Sequence, residues 1–233
     1  MWLPRLNPEH VPLPSKDRRN ILITSALPYC NNVPHLGNLI GCVLSADVYS
    51  RFTRLRGYNS IYICGTDEYG TTTETKAIEE GVQPEDICKK YYKIHKEIYE
   101  WFDIDFNIFG RTSTPKHTVI AQDIFMTLYN KGYLSEKVVE QLYCEKCKRF
   151  LADRYLRGTC PLCAHTPARG DQCENCGKQY NSNELKDPQC SLCGNTPKLQ
   201  ESEHVFINLP KITPLLKPWL DKTTAGGKWT QNA

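Results

Sequence analysis

Eight of the twelve cysteines fall into four Cys-x-x-Cys pairs between Cys144 and Cys193, and no other feature restricts the fold so tightly. Two thiolates at that spacing reach one metal ion, and a closed tetrahedral zinc site needs two such pairs. A redox dithiol of the thioredoxin kind would occur once, beside a βαβ pattern, so the repetition argues for zinc. Twelve residues separate Cys144/Cys147 from Cys160/Cys163, and thirteen separate Cys173/Cys176 from Cys190/Cys193, so each half reads as one copy of a small ribbon. Spacing leaves two pairings open: sequential, with one ion per half, or nested, with the inner pairs on one ion and the outer pairs on another. With no other core of its own size, this stretch should owe its fold to the metal. Cys30, Cys42, Cys64 and Cys88 lie among apolar residues and read as small buried thiols.

At 233 residues and 40% hydrophobic composition, the chain can bury a substantial core in one or two domains. A net charge of +3 neither requires nor excludes nucleic acid, so an RNA contact would need a local patch. Lys146, Lys148, Arg149, Arg154 and Arg157 form one such cluster, which is equally readable as a solvated basic face. On that cluster rests a rival reading of the chain as a non-catalytic zinc-ribbon RNA-binding module. No run approaches the length of a transmembrane helix, and the first residues, with Pro4, Pro8, Pro12 and Pro14, lack the apolar core of a signal peptide. An intracellular protein with no membrane association is expected.

In chain order, a proline-rich extended arm (1–19) precedes an apolar strand, Ile21 to Ser25. A polar loop then leads to an amphipathic helix, Leu39 to Arg56, capped by Gly57, and a second strand, Ser60 to Cys64. This is a βαβ unit with a right-handed crossover, which predicts a parallel sheet. The carboxyl ends of its strands open a crevice, where a helix start turns N–H groups and a positive dipole end toward anions. The loop from Leu27 and the acidic Asp67 should face that crevice together. Thr71 to Glu80 reads as a helix ended by Gly81, and Pro84 opens a longer one through Trp101. Its Tyr91, Tyr92, Tyr99 and Trp101 read as packing residues. Phe102 to Phe109 suits a strand, and Thr114-Pro115 starts a helix to Lys131 with Ile120, Ile124, Phe125 and Leu128 on one stripe. Tyr133 to Tyr143 and Glu203 to Leu209, with Val205, Ile207 and Leu209 on one face, read as strands around the cysteines. Ile212 to Leu220 reads as a helix despite Pro214 and Pro218. Arg111 and Lys116 have no spacing that separates them from ordinary surface.

The stretch Ala26-Leu27-Pro28-Tyr29-Cys30-Asn31-Asn32-Val33-Pro34-His35-Leu36-Gly37-Asn38 resembles the His-x-Gly-His signature of class I aminoacyl-tRNA synthetases. The Ala-Leu-Pro-Tyr lead-in is similar to the methionyl enzymes in particular, as is Cys64-Gly65-Thr66-Asp67-Glu68-Tyr69-Gly70 at the next strand end. Gly158-Thr-Cys-Pro-Leu-Cys and Gly170-Asp-Gln-Cys-Glu-Asn-Cys-Gly resemble that family's zinc knuckles. The likeness runs from about Arg19 to the end, and four cysteine pairs resemble the archaeal and eukaryotic cytosolic branch. It implies an α/β fold: the first half of a Rossmann-type parallel-sheet nucleotide-binding domain, followed by an inserted connective domain with zinc knuckles. The implied division is an arm (1–19), the catalytic half with the start of the connective region (20–132), the connective insertion (133–209) with knuckles at 144–193, and a helical or irregular end (210–233).

The resemblance implies a cytoplasmic ATP-dependent ligase that activates L-methionine to methionyl-adenylate and passes it to tRNA(Met); within enzymes the rival is another class I aminoacyl-tRNA synthetase, against which the Ala-Leu-Pro-Tyr lead-in and the zinc knuckles argue. ATP with Mg2+ would be a substrate, and one or two Zn2+ ions structural. His35 and Asn38 would be catalytic, with Gly37 beside them at the ATP phosphates, while Ala26, Leu27, Tyr29 and Asp67 would hold methionine. Zinc pairing would be nested: Cys160, Cys163, Cys173 and Cys176 on one ion, Cys144, Cys147, Cys190 and Cys193 on the other. Two departures stand out. Asn38 occupies the place of the signature's second histidine, and no Lys-Met-Ser-Lys-Ser-like loop occurs. The chain is therefore expected to be an amino-terminal fragment, inactive or nearly so alone. Oligomeric state and membership of a multi-synthetase assembly leave no mark in the sequence.

Overall fold

The computed structural model describes residues 11–227, and the chain divides into two compact units, Met1–Ile120 and Ala121–Ala233. The start of the proline-rich arm, residues 1–10, and the end of the expected irregular segment, residues 228–233, lie outside the described residues. From Val11 the arm lies on the first unit, where the Leu13 carbonyl accepts from Asn59 Nδ2 at 2.8 Å.

The first unit is built on a parallel sheet in the order β1-β2-β3, from β1 (Asn20–Thr24), β2 (Asn59–Thr66) and β3 (Ile108–Arg111). The crossover from β1 to β2 is a continuous helical run: α1 (Leu36–Asn38), a π-helical turn (Leu39–Leu44) and α2 (Ser45–Leu55). It starts three residues earlier than the apolar periodicity indicates, because polar capping at His35 begins the first turn. The wide turn frees a carbonyl. Buried Tyr62 of β2 donates its hydroxyl to Val43 O at 2.9 Å. Ile23, Leu39, Val43, Tyr62, Cys64, Tyr99 and Ile104 form the core of this layer, each apolar side chain contributing about 1.5–3 kcal/mol by leaving water.

Beyond β2 come α3 (Thr71–Glu80) and α4 (Pro84–Trp101), with a left-handed Gly81 closing the first and Pro84 opening the second. Tyr91 and Tyr99 are buried, but Trp101 at the last position of α4 is 79% exposed, its ring meeting the next residue, Phe102, edge to face instead of entering the core. The expected strand from Phe102 shortens to Ile108–Arg111 because side chains hold the preceding backbone in a loop. Asp103 adopts a left-handed φ of 55° and its carbonyl accepts from Arg51. The Asp105 N–H donates to Asp47 Oδ1, and the Asn107 side chain accepts from the Tyr62 N–H.

α5 (Pro115–Asn130) follows, with Ile120, Ile124 and Phe125 of the predicted stripe exposed rather than buried. The second unit holds two small antiparallel sheets. One has the order β5-β4-β9, from β4 (Leu134–Cys144), β5 (Arg149–Phe150) and β9 (Lys198–Ile207). The other has the order β7-β6-β8, from β6 (Leu156–Thr159), β7 (Ala168–Arg169) and β8 (Lys186–Cys190). The apolar side chains on β9, Val205 and Ile207, are exposed, as is Leu209 beyond it. The last helix, α6 (Leu209–Gly226), is longer than expected and contains both Pro214 and Pro218, its start capped by Asn208.

One buried group ties the crossover loop to the helical layer. His95 of α4, 1% exposed, has Nε2 2.8 Å from the Asn32 carbonyl and Nδ1 3.1 Å from the Tyr99 hydroxyl. A carbonyl only accepts, so Nε2 carries the proton and Nδ1 accepts from Tyr99. Burial pushes the His95 pKa down, against a smaller opposing pull from that carbonyl. The sign follows: His95 favours the folded state fully above its unfolded pKa of about 6.5, and that contribution is lost as pH falls below it. The unfolding free energy from urea titration should drop on acidification from neutrality, by no more than about 1.4 kcal/mol per pH unit for this one proton. A His95→Gln variant should show the flatter profile; an equally steep one would remove His95 as the cause.

Candidate functional site

The chain leaves the sheet at Thr24 and returns five residues later beside the end of β2. There the Cys30 N–H donates to Asp67 O at 3.0 Å and the Asp67 N–H donates to Pro28 O at 2.9 Å. This parallel bridge joins Tyr29 to Asp67. Alternation then decides orientation: Pro28 and Cys30 are buried, whereas Leu27 and Tyr29 are exposed. The Cys30 thiol donates to Cys88 O at 3.1 Å, and burial, with the Glu68 charge and Cys88 adding to it, pushes its pKa up to about 12. It is a neutral anchor under the loop, not a nucleophile. Ala26 borders a groove of about 370 Å³ that also touches Ser25, Gly41, Cys42, Ser45 and Tyr49, between β1 and the π-helical turn.

At the far end of the loop His35 is the N-cap of α1. Its Nδ1 accepts from the Gly37 and Asn38 N–H groups at 3.1 and 3.3 Å, and Asn38 Oδ1 accepts from the His35 N–H at 3.1 Å. Gly37 makes this possible, since a Cβ there would lie 3.0 Å from the imidazole Cε1. The Gly37, Asn38 and Leu39 N–H groups are thus satisfied inside the turn, where the sequence reading expects unpaired N–H groups facing an anion. What the turn presents instead follows from its own bonding. With Nδ1 accepting, a neutral His35 carries its proton on Nε2; with Oδ1 accepting, Asn38 keeps its Nδ2 hydrogens. Both remaining groups are donors.

The cysteines gather in the nested arrangement. Cys144, Cys147, Cys190 and Cys193 form one group, and Cys160, Cys163, Cys173 and Cys176 another, with the sulfurs of each within 4.8 Å of one another. The Sγ–Sγ separations of 3.5 Å (Cys144–Cys193), 3.9 Å (Cys147–Cys190) and 3.6 Å (Cys163–Cys173) are close to the ~3.8 Å edge of a tetrahedron with 2.3 Å metal–sulfur bonds. The residue after each second cysteine is left-handed: Lys148 (φ 52°), Ala164 (58°), Gly177 (68°) and Gly194 (74°). That turn folds the pair back on itself, as in Gly177 N to Cys173 O at 2.9 Å and Gly194 N to Cys190 O at 2.8 Å. The first cysteine of every pair is buried and belongs to the core of the unit, with Leu142, Tyr155, Leu156 and Leu185. Within each group the thiols pull on one another: backbone N–H groups of His165 and Asn195 draw the Cys163 and Cys193 pKa values down, while neighbouring thiols and burial push Cys147 and Cys176 up. Both groups could hold a metal ion.

The family model described as tRNA synthetases class I (M) matches residues 21–233. The chain belongs to that family. Among relatives of this class I synthetase chain, human cytoplasmic methionine–tRNA ligase is 58% identical over 99% of the chain and 26% of its own length. The cytoplasmic methionine–tRNA ligase of Arabidopsis thaliana is 60% identical over 95% of the chain and 28% of its own length. The chain thus spans about a quarter of the length of these relatives. A solved structure of Mycobacterium tuberculosis methionyl-tRNA synthetase in complex with methionyl-adenylate shares the fold, with a TM-score of 0.61 at 20% identity over 89% of this chain and 35% of that one.

The synthetase chain also contains polar groups that sequence reading passes over. Glu68, next to Asp67, is buried and pairs with Arg111 Nε at 2.7 Å, so Arg111 is no ordinary surface residue. The capping turn yields a test of its own. His35→Ala removes the acceptor for two N–H groups and should cost about 1 kcal/mol in urea unfolding. Asn38→Asp keeps an acceptor for the His35 N–H and adds negative charge at the helix start, so it should be neutral or stabilising by up to about 1 kcal/mol. Equal losses in the two variants would contradict this assignment of donors and acceptors.

Proposed function

We propose that this chain carries the methionine- and ATP-binding half of the adenylate-forming site of a cytoplasmic methionine–tRNA ligase, with tRNA(Met) as the acyl acceptor. The observation that carries the reading is the pairing of opposite functions around one loop: an acidic group at the end of β2 bridged to Tyr29 at one end of it, and two donors on the exposed His35 turn at the other. The likeness of 95–99% of this chain to methionine–tRNA ligases supports the substrate assignment.

The reaction joins a carboxylate oxygen of methionine to the α-phosphorus of ATP and releases pyrophosphate, with Mg2+ accompanying the nucleotide. Protein groups contribute by position and charge. The Asp67 carboxylate holds the α-ammonium group of methionine, and the exposed faces of Leu27 and Tyr29, with Ala26, offer apolar surface to its side chain. Triphosphate oxygens only accept, and the His35 Nε2–H and Asn38 Nδ2–H groups only donate, so the capping turn sets the correct polarity for charge gathering in the transition state. Gly37 keeps the imidazole folded onto the helix start. Replacing a second histidine by Asn38 removes a cationic form but retains a donor.

Zinc suits the eight thiols. When bound it supplies a structural cross-link, and Cys144, Cys147, Cys190 and Cys193 would hold one ion, Cys160, Cys163, Cys173 and Cys176 the other.

Methionine-dependent ATP–pyrophosphate exchange by the full-length protein containing this chain tests the reading. Asn38→Asp should lower the exchange rate by about 10²-fold without loss of stability, because a preorganised donor becomes a like charge. Unchanged exchange in both His35→Ala and Asn38→Asp would remove the turn from the mechanism. For the metal, titration of the demetallated protein with Co2+ should reach two equivalents by thiolate-to-metal absorption. Cys147→Ser combined with Cys190→Ser should lose one equivalent and leave the other site intact. Perturbation of both ions would indicate sequential pairing instead.

A further inference from the structure

Among the described residues the Asp67 carboxylate meets a backbone donor, the Tyr69 N–H at 3.5 Å, whereas its neighbour Glu68 is held by several side chains. The Glu68 side chain is fully buried, with its carboxylate accepting from Arg111 Nε at 2.7 Å, Thr66 Oγ1 at 2.9 Å and the Ser113 hydroxyl. Its backbone N–H donates to Thr112 Oγ1 at 2.9 Å, and its carbonyl lies 3.5 Å from the Cys88 thiol, which donates to it. Arg111 in turn stacks over the Tyr92 ring, 4.9 Å from its centroid. A buried carboxylate is tolerated only when its lone pairs are met, and here three donors from two strand ends meet them. These bonds join the end of β2 to the end of β3 and the segment after it. The Asp67 peptide, one residue before this clamp, holds the loop through Pro28 and Cys30.

We propose that Glu68 is a positioning residue for amino-acid binding: through Arg111, Ser113 and Thr66 it fixes the backbone of Asp67, and so aligns both the Asp67 carboxylate and Tyr29. Glu68 touches no substrate itself. A conservative amide in its place retains volume and accepts one bond, but leaves Arg111 without a counter-charge and presents N–H groups to donors. The Tyr29–Asp67 bridge then loosens while the rest of β2, inside the sheet, keeps its ladder. The effect on catalysis rests on the function proposed above; the effect on the bridge does not.

The test uses Glu68→Gln and, should that variant fail to fold, Ser113→Ala and Thr66→Val, each removing one donor to the same carboxylate. It is made in the full-length protein, with Glu68→Asp as the variant that keeps the charge. Amide hydrogen exchange of Cys30 and Asp67, the two bridge donors, should accelerate about tenfold or more in Glu68→Gln, with the Ile61 and Ile63 amides unchanged. In pyrophosphate exchange, KM for methionine should rise about tenfold or more with KM for ATP within about twofold, and Glu68→Asp should recover part of the loss. Unchanged protection at Cys30 and Asp67 overturns the proposal, as does a matched rise in both KM values. Accelerated bridge exchange in a protein whose wild type shows no methionine-dependent activity would leave the clamp standing and overturn the functional assignment instead.

Discussion

Two hydrogen bonds made by a single residue hold the candidate site together. Asp67 donates its N–H to Pro28 and accepts at its carbonyl from Cys30, and this exchange returns the loop to the sheet. The constraint is geometric: one peptide can bond to the residues on either side of Tyr29 in this way only where that segment runs extended and parallel to β2. The loop does so for the residues around Tyr29, and alternation then buries Cys30 and turns Tyr29 outward. A second tether, His95 to Asn32, and the capping box at His35 hold the remainder. The polar groups at the crevice therefore depend on backbone bonding more than on their own side-chain packing.

The cysteine unit obeys a comparable logic with different material. Its buried core sets four cysteines among four leucines, Tyr155 and Ala168, so the residues that could hold a metal are also packing residues. The ladder between β4 and β9 runs from Leu134↔Ile207 to Tyr143↔Lys198, so the outer pairs meet at its closed end. β6 and β8 pair from Leu156↔Cys190, which brings the second sheet against the same point and leaves the inner pairs to each other. Nesting is a consequence of strand topology. That is why spacing alone left it open: twelve and thirteen residues between pairs are compatible with either arrangement.

Local signals in the sequence were legible where local physics decides. Pro84 at the first turn and Gly81 in a left-handed cap mark helix ends that match the structure, because each acts through its own backbone. The candidate site residues from Ala26 to Asn38 stood out as a pattern, and the parallel βαβ unit around them followed from periodicity. Long-range contacts were not visible. Glu68 and Arg111 are 43 residues apart and look like surface charges until the sheet joins their strands. His95 reaches Asn32 across 63 residues, and the shortened β3 results from Asp47, Arg51 and Tyr62 bonding the loop before it. The outward faces of Trp101 and of the α5 stripe show the converse: apolar periodicity identifies a face, not what covers it.

The central claim is that the end of β2 and the loop bridged to it present a carboxylate and two hydrogen-bond donors to the two ends of an aminoacyl-adenylate. A crystal structure of the full-length protein with a non-hydrolysable methionyl-adenylate analogue tests it most directly. The account predicts the ammonium group on Asp67 and phosphate-region oxygens facing His35 Nε2 and Asn38 Nδ2, with Nδ1 still capping α1. An analogue bound away from Asp67 and the His35 turn, or an imidazole withdrawn from its cap to bind it through Nδ1, would contradict the account.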